Sequence, residues 1–276
     1  MFFDVDGAAL VPDGPLLRAK PVVVLIHGSE VDHAFFKPWV TPLGADAQLV
    51  FVDLTGHGRS DEGGPEDWTL TGWADAVAEL CTGLGIESPI VLGSSLGGRI
   101  ALTLALRHPA LVAGLVIVNS VVEARAERRI EVFRRLGGDD AADAARFDIE
   151  HRSAESKERY MRLCMPLTMQ RPCTPDELDR LTPVSERVMA TLIEVSRSPG
   201  DLLSEVGAIE CPTLVVTGDL DPAAPPADAA DLAAAIGPNA RLEVVAGAGH
   251  GVYRDQPDAF NDLVRTFLRE SVDGRS

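Results

Sequence analysis

The chain has 276 residues, 25 Lys plus Arg against 42 Asp plus Glu, and a formal net charge of −17. The length fits one large domain, or one domain with an inserted subdomain, and 46% hydrophobic with 24% charged residues is a globular composition. The charge excludes non-specific nucleic-acid binding and docking on an anionic membrane, because phosphates would be repelled.

At the start, Met1-Phe2-Phe3-Asp4-Val5-Asp6 has neither a basic n-region nor an apolar h-region, so no secretory signal is expected. No apolar run is long enough to span a bilayer, and a cytoplasmic protein is the expectation. Short apolar runs then recur. Val22–Ile26 stops at His27-Gly28, and Leu49–Val52 stops at Asp53. Pro89–Leu92 stops at Gly93, and Leu115–Val118 at Asn119. Thr213–Val216 stops at Thr217-Gly218, and Leu242–Val245 at Ala246-Gly247. Runs apolar on both faces are what a parallel sheet covered by helices requires.

Helical patterns separate these strands. Leu70, Trp73, Val77, Leu80 and Leu84 form one stripe at three- and four-residue spacing. Residues Leu96 to Arg107 read as a helix stopped by Pro109. A last helix runs from Pro257 to Arg269, with Phe260, Leu263, Val264 and Phe267 on one face. This alternation predicts an α/β fold, a doubly wound, mostly parallel sheet with right-handed crossovers. From 121 to 207 the strand pattern disappears, and breakers fall at Gly137-Gly138, Pro166, Pro172, Pro175, Pro183 and Pro199. The expected organisation is a core of residues 1–120 and 208–276 carrying a helical cap of residues 121–207. Cys81, Cys164, Cys173 and Cys211 have no C-x-x-C spacing and read as buried free thiols.

The strongest chemical signal is Gly93-Ser94-Ser95-Leu96-Gly97, between a predicted strand and a predicted helix. This is the G-x-S-x-G nucleophile elbow in its required context. A serine hydroxyl needs a base, and the base needs an orienting group. Asp221 follows one predicted strand and His250 the last, 126 residues beyond Ser95 and 29 beyond Asp221. All three candidates sit beyond the carboxyl ends of strands, where open α/β sheets build sites. Asp219 is the competing acid and Glu123 a weaker one. Oxyanion donors are expected at the backbone N–H groups of Leu96 and of Ser29, after His27-Gly28. His57, in a glycine turn, reads as a structural or pocket-wall residue. Met161, Met165 and Met169, with Leu163 and Leu167, could line an apolar acyl pocket or form the cap's own core. There is no G-x-x-x-x-G-K-[ST] loop, and Gly247-x-Gly249-x-Gly251 lacks dinucleotide spacing. His27 and His33 have no partner ligands in the sequence, so neither metal nor cofactor is expected.

Together these segments resemble the α/β-hydrolases, and within them the proline iminopeptidase-like branch. The resemblance rests on His27-Gly28, Phe36-Lys37-Pro38-Trp39, Asp53-Leu54-Thr55-Gly56-His57-Gly58-Arg59-Ser60, the elbow, the run from Pro212 to Asp221, and Gly247-Ala248-Gly249-His250-Gly251. It implies Asp221 as the acid, His250 as the base and a helical cap between the sixth and seventh core strands. The branch follows its histidine with Gly-Gly-Pro-Gly, whereas this chain has Gly28-Ser29-Glu30-Val31. Glu30 brings a carboxylate near the site and is expected to border substrate without being catalytic. The branch also uses acidic cap residues to hold a substrate amine. Glu155, Glu158, Glu177, Glu186 and Glu194 are available, but each reads as solvated helix-face charge. The expected activity is cofactor-free serine hydrolysis of an ester, lactone or amide in a small-molecule substrate. Aminopeptidase action, perhydrolysis or carbon–carbon bond hydrolysis, and catalytically silent ligand binding remain as alternatives. Serine in the elbow argues against the dehalogenase and epoxide hydrolase branches, which use aspartate.

Overall fold

The computed structural model describes residues 1–13, 16–123, 125–197 and 202–273; Pro199 lies outside them. Strand β1 (Phe2–Asp6) is followed by a hairpin of β2 (Leu10–Asp13) and β3 (Leu16–Ala19). The remaining strands are β4 (Val22–Ile26), β5 (Gln48–Asp53), β6 (Ile90–Ser94), β7 (Gly114–Val118), β8 (Thr213–Gly218) and β9 (Ala240–Val245). Among the described residues, seven of them form one sheet in the order β1-β5-β4-β6-β7-β8-β9. All neighbours are parallel except β1, which runs antiparallel to β5. The six expected strands are therefore present. The seventh, β1, escaped the pattern because its residues alternate between exposed and half-buried, as edge strands do. β9, expected to be apolar on both faces, is the opposite edge: most of it is half-buried and Val244 is exposed.

Alternating strand residues fill two cores. Val24, Ile26, Val91 and Ile117 pack against α2 (Leu70–Gly83), α3 (Leu96–Arg107) and α9 (Pro226–Ile236). Val23, Leu25, Leu92 and Val118 pack against α1 (His33–Val40) and α11 (Pro257–Asp273). Side chains alternate across a strand, so a run apolar at every position is covered on both sides. The chain reverses direction across the sheet at β4. β5 lies on one side of β4 and β6 on the other, with Ile26 opposite Gly93. The crevice beyond the carboxyl ends of β4 and β6 is thus the topological switch point at which such sheets build sites.

Between β7 and β8 the described residues form helices only: α4 (Ala126–His151), α5 (Ala154–Leu163), α6 (Pro175–Leu178), α7 (Glu186–Arg197) and α8 (Leu202–Glu205), with short 3-10 turns. Gly138, at φ 72° and ψ −166°, kinks α4 where the Gly-Gly pair predicts a break, a backbone region open essentially to glycine alone. α4 and α5 enclose a small core of their own around Phe133, Ala141, Ala145 and Cys164. All four cysteines are free; Cys81 and Cys164 are buried as expected, while Cys173 and Cys211 are only half-buried. No helix among the described residues is long and apolar enough to cross a membrane.

Candidate active site

Ser95 sits on the turn from β6 into α3 with φ 54° and ψ −118°, a conformation costing of the order of 1–3 kcal/mol for a non-glycine residue. Close approach explains its glycine neighbours. A Cβ on Gly93 would lie 2.1 Å from the Gly97 carbonyl oxygen, and one on Gly97 would lie 2.2 Å from that of Ile26. The backbone around Ser95 is fixed independently of its hydroxyl. Its N–H donates to the Val118 carbonyl at 2.9 Å, and its carbonyl accepts from Ser120 Oγ at 2.6 Å and Gly98 N–H at 3.0 Å.

The structure brings the three sequence candidates into one line. His250 Nε2 lies 3.1 Å from Ser95 Oγ, and its Nδ1 lies 3.1 and 3.0 Å from the two carboxylate oxygens of Asp221. With Nδ1–H donating to Asp221, the Nε2 lone pair faces the serine hydroxyl. Asp221 is fully buried, yet it accepts from the N–H groups of Ala223 and Ala224 and from Asn119 Nδ2 at 2.7, 3.0 and 2.8 Å. Burial pushes its pKa up, but the His250 charge and these donors outweigh burial and hold it below the ordinary carboxylate value. Burial opposes charging of His250 as well. Its attraction to Asp221 more than compensates, and the imidazole pKa stands above its ordinary value. Asp219 faces elsewhere, accepting from the Gly247 N–H at 2.8 Å, and Glu123 is exposed.

Three supporting residues were not legible in the sequence. Asn119 directly follows β7, in the left-handed region at φ 46°. Its amide donates to Asp221 and to the Gly249 carbonyl at 3.0 Å, while its oxygen accepts from the Val252 N–H at 3.0 Å. One side chain therefore ties the acid to the histidine loop. Its only sequence signal is an asparagine directly after an apolar run, a residue type that tolerates this backbone. Asp255, in α10 (Val252–Asp255), clamps the loop to the inserted segment, accepting from the N–H groups of Gly249, Gln170 and Arg171. Arg254 is fully buried, stacks on Phe35 and Trp39, and pairs with Glu177 at 2.9 Å. Glu177 is thus a buried-arginine partner and not solvated charge; Glu155, Glu158, Glu186 and Glu194 are exposed as expected.

The His27-Gly28 loop lies against the elbow: a Cβ on Gly28 would stand 3.5 Å from Ser95 Cβ. His27 is buried and its pKa is pushed down to about 3 by burial and by the neighbouring His57. As a neutral ring it donates from Nδ1 to the Gly28 carbonyl at 2.7 Å and accepts the Leu54 N–H at Nε2. In a trans peptide, pinning the Gly28 carbonyl toward His27 turns the Ser29 N–H the opposite way. His57, buried as expected, donates to the Ser29 carbonyl at 2.7 Å and fixes the next peptide. No described residue accepts from the N–H of Ser29 or Leu96.

The remaining candidates separate. Glu30 is exposed beside this loop. Met169 packs on the histidine loop, with its sulfur accepting from Arg254 at 3.3 Å and Thr168 accepting the His250 N–H at 2.6 Å. Met161 and Met165 are exposed, 49% and 36%. Of the three methionines, Met169 is placed on the histidine loop, while Leu163 and Leu167 take the inward positions of the α4–α5 core. Contrary to expectation, the fold does supply partners for His33. Asp32 and Asp53 come together with it, but all four carboxylate oxygens already accept protein hydrogen bonds.

Comparison with known proteins finds likenesses along nearly the whole chain. A RutD protein of Pantoea ananatis, for which carbamate hydrolysis is the proposed activity, is 28% identical over 263 residues, 91% of this chain and 89% of that one. The proline iminopeptidase of Mycobacterium smegmatis superposes with a TM-score of 0.76 at 20% identity, covering 99% of this chain and 96% of that one. A thermophilic esterase of Thermogutta terrifontis gives 0.70 at 25% identity, covering 98% and 93%. The fold likeness to a proline iminopeptidase is the one read from the sequence. Residues 21–257 match the model of the alpha/beta hydrolase fold family, and the chain belongs to that family.

Proposed function

We propose that the chain is a cofactor-free serine hydrolase that cleaves an ester, lactone or amide bond through an acyl-enzyme, with residues 121–207 as the cap over its site. The observation that carries this reading is the unbroken hydrogen-bond line from Asp221 through His250 to Ser95. His250 takes the Ser95 proton at Nε2 as Oγ attacks the carbonyl carbon, and Asp221 stabilises the imidazolium. The Leu96 and Ser29 N–H groups receive the oxyanion. When the intermediate collapses, His250 returns the proton to the leaving group. Water, deprotonated by the same nitrogen, then releases the acyl group. The activities named for the relatives, esterase and carbamate hydrolase, are acyl transfers of this kind.

The test compares kcat/KM for an acyl ester with that for a prolyl amide, in wild type and Glu30→Gln. Faster turnover of the ester, with little effect of the substitution, is expected from an exposed Glu30. A strong prolyl-amide preference that vanishes in Glu30→Gln would instead identify an aminopeptidase whose Glu30 binds the amine.

Two further outcomes follow from the same geometry. His250 must be neutral to act as base, and Asp221 raises its pKa, so kcat/KM for a neutral ester should fall with decreasing pH along a limb centred above pH 6.5, the ordinary histidine value. A limb at or below that value would contradict the assignment. Asn119→Gly keeps the left-handed backbone and removes only the amide. Losing a hydrogen bond to a buried charge should lower kcat by roughly 10–100-fold with little change in KM, read from steady-state kinetics.

A further inference from the structure

Arg129 is held differently from most arginines of α4, though Arg135 also lacks a carboxylate partner among the described residues and donates to the Asp219 carbonyl. On the same helix, Arg128 pairs with Asp228 and Asp231, Arg134 with Glu131 and Asp139, and Arg146 with Glu127. Arg129 has no carboxylate partner among the described residues, in a chain with 42 acidic side chains. Its guanidinium donates from Nη2 to the Tyr160 hydroxyl and lies over the rings of Tyr160 and Phe133 at 5.2 and 5.8 Å. Those rings meet edge to face, so the side chain is held on two aromatic walls at the α4–α5 contact. Its Nε is buried with no acceptor.

The surrounding contacts fix where this cation lies. α4 is anchored to the core on both sides of the acid: Arg128 reaches Asp228 of α9, and Arg135 donates to the carbonyl of Asp219, two residues before Asp221. α5 leads through Cys164, in the same small core, to Thr168, whose carbonyl holds the His250 N–H. Arg129 is thereby carried on the helix pair that leads into the segment bonded to the histidine loop. Consistently, its charge opposes protonation of His250.

We infer that Arg129 receives an anionic carboxylate on the substrate, so that the preferred substrate is an ester or amide bearing a free carboxylate near the scissile bond. This rests on the serine-hydrolase reading above. A partly desolvated guanidinium gains most from a carboxylate, through charge-assisted hydrogen bonds. The net charge of −17 repels an anion at a distance, but that repulsion is screened beyond about 10 Å at 0.1 M salt, which leaves the local cation to decide.

The test uses two aryl esters with the same six-carbon acyl chain, the mono-4-nitrophenyl ester of adipic acid and 4-nitrophenyl hexanoate. Wild type should favour the half-ester in kcat/KM. In Arg129→Met that preference ratio should fall by roughly 10–100-fold, and Arg129→Lys should retain part of it. A ratio unchanged in Arg129→Met, with both esters slowed alike, would make Arg129 a packing residue and overturn the inference while leaving the hydrolase reading intact. Calorimetric titration of monomethyl adipate into wild type and Arg129→Met reads binding without turnover. Weaker binding to Arg129→Met supports the inference even if neither ester is cleaved, an outcome that would sink the hydrolase reading alone. Equal binding to both proteins overturns it.

Discussion

Replacing Ser95 with alanine should lower kcat for ester hydrolysis by roughly 10⁴-fold or more while leaving the fold intact. In the proposed mechanism the hydroxyl supplies the atom that forms the acyl bond, and Ser95 is the residue whose side-chain oxygen lies against His250 Nε2. Nothing else in the elbow depends on it. The Ser95 N–H and carbonyl bind Val118, Ser120 and Gly98 through the backbone, and alanine takes the strained φ of 54° at no greater cost than serine. Thermal unfolding within a few degrees of wild type, together with lost turnover, is the expected pair of results. Wild-type turnover by purified Ser95→Ala would remove Ser95 from the chemistry.

The second large effect belongs to the acid. Asp221→Asn should cost about 10⁴-fold in kcat, the size seen when an aspartate-to-asparagine change leaves a triad's geometry in place. The amide cannot stabilise an imidazolium. It can also donate to Nδ1, which would move the ring proton to Nε2 and turn the acceptor away from Ser95. Asn119 adds to the effect, because its amide donates to the Asp221 carboxylate and would meet another NH₂ group in one orientation of the new side chain. Asp219→Asn should cost far less, since Asp219 serves the Gly247 N–H in the turn after β9. Steady-state kinetics on the two variants decides, and the reverse ranking would reassign the acid.

The parts of this site that local chain rules determine were legible in the sequence. A glycine-flanked serine between strand and helix, and Asp221 and His250 just beyond later strands, are requirements of short segments. Residues whose roles come from distant juxtaposition were not. Asn119 matters because β7 lies beside β8, Asp255 because the inserted segment folds back onto α10, and the inferred role of Arg129 depends on α5 bringing the Tyr160 ring against it beside Phe133 of α4. The methionines of the inserted segment show the same limit. Met161, Leu163, Met165, Leu167 and Met169 read as one cluster, but the segment is α5 followed by a 3-10 turn, which sends Met161 and Met165 outward and Leu163 and Leu167 inward. Leu242–Val245 reads as a strand apolar on both faces, but β9 closes the sheet at an edge, where one side is left partly exposed.

The proposed nucleophile is the most direct object of measurement. Wild-type protein treated with a fluorophosphonate should gain the mass of one adduct, and peptide mapping should locate it on Ser95, with no adduct formed by Ser95→Ala. A wild-type protein that hydrolyses esters yet carries its adduct on another residue, or none at all, would contradict the account.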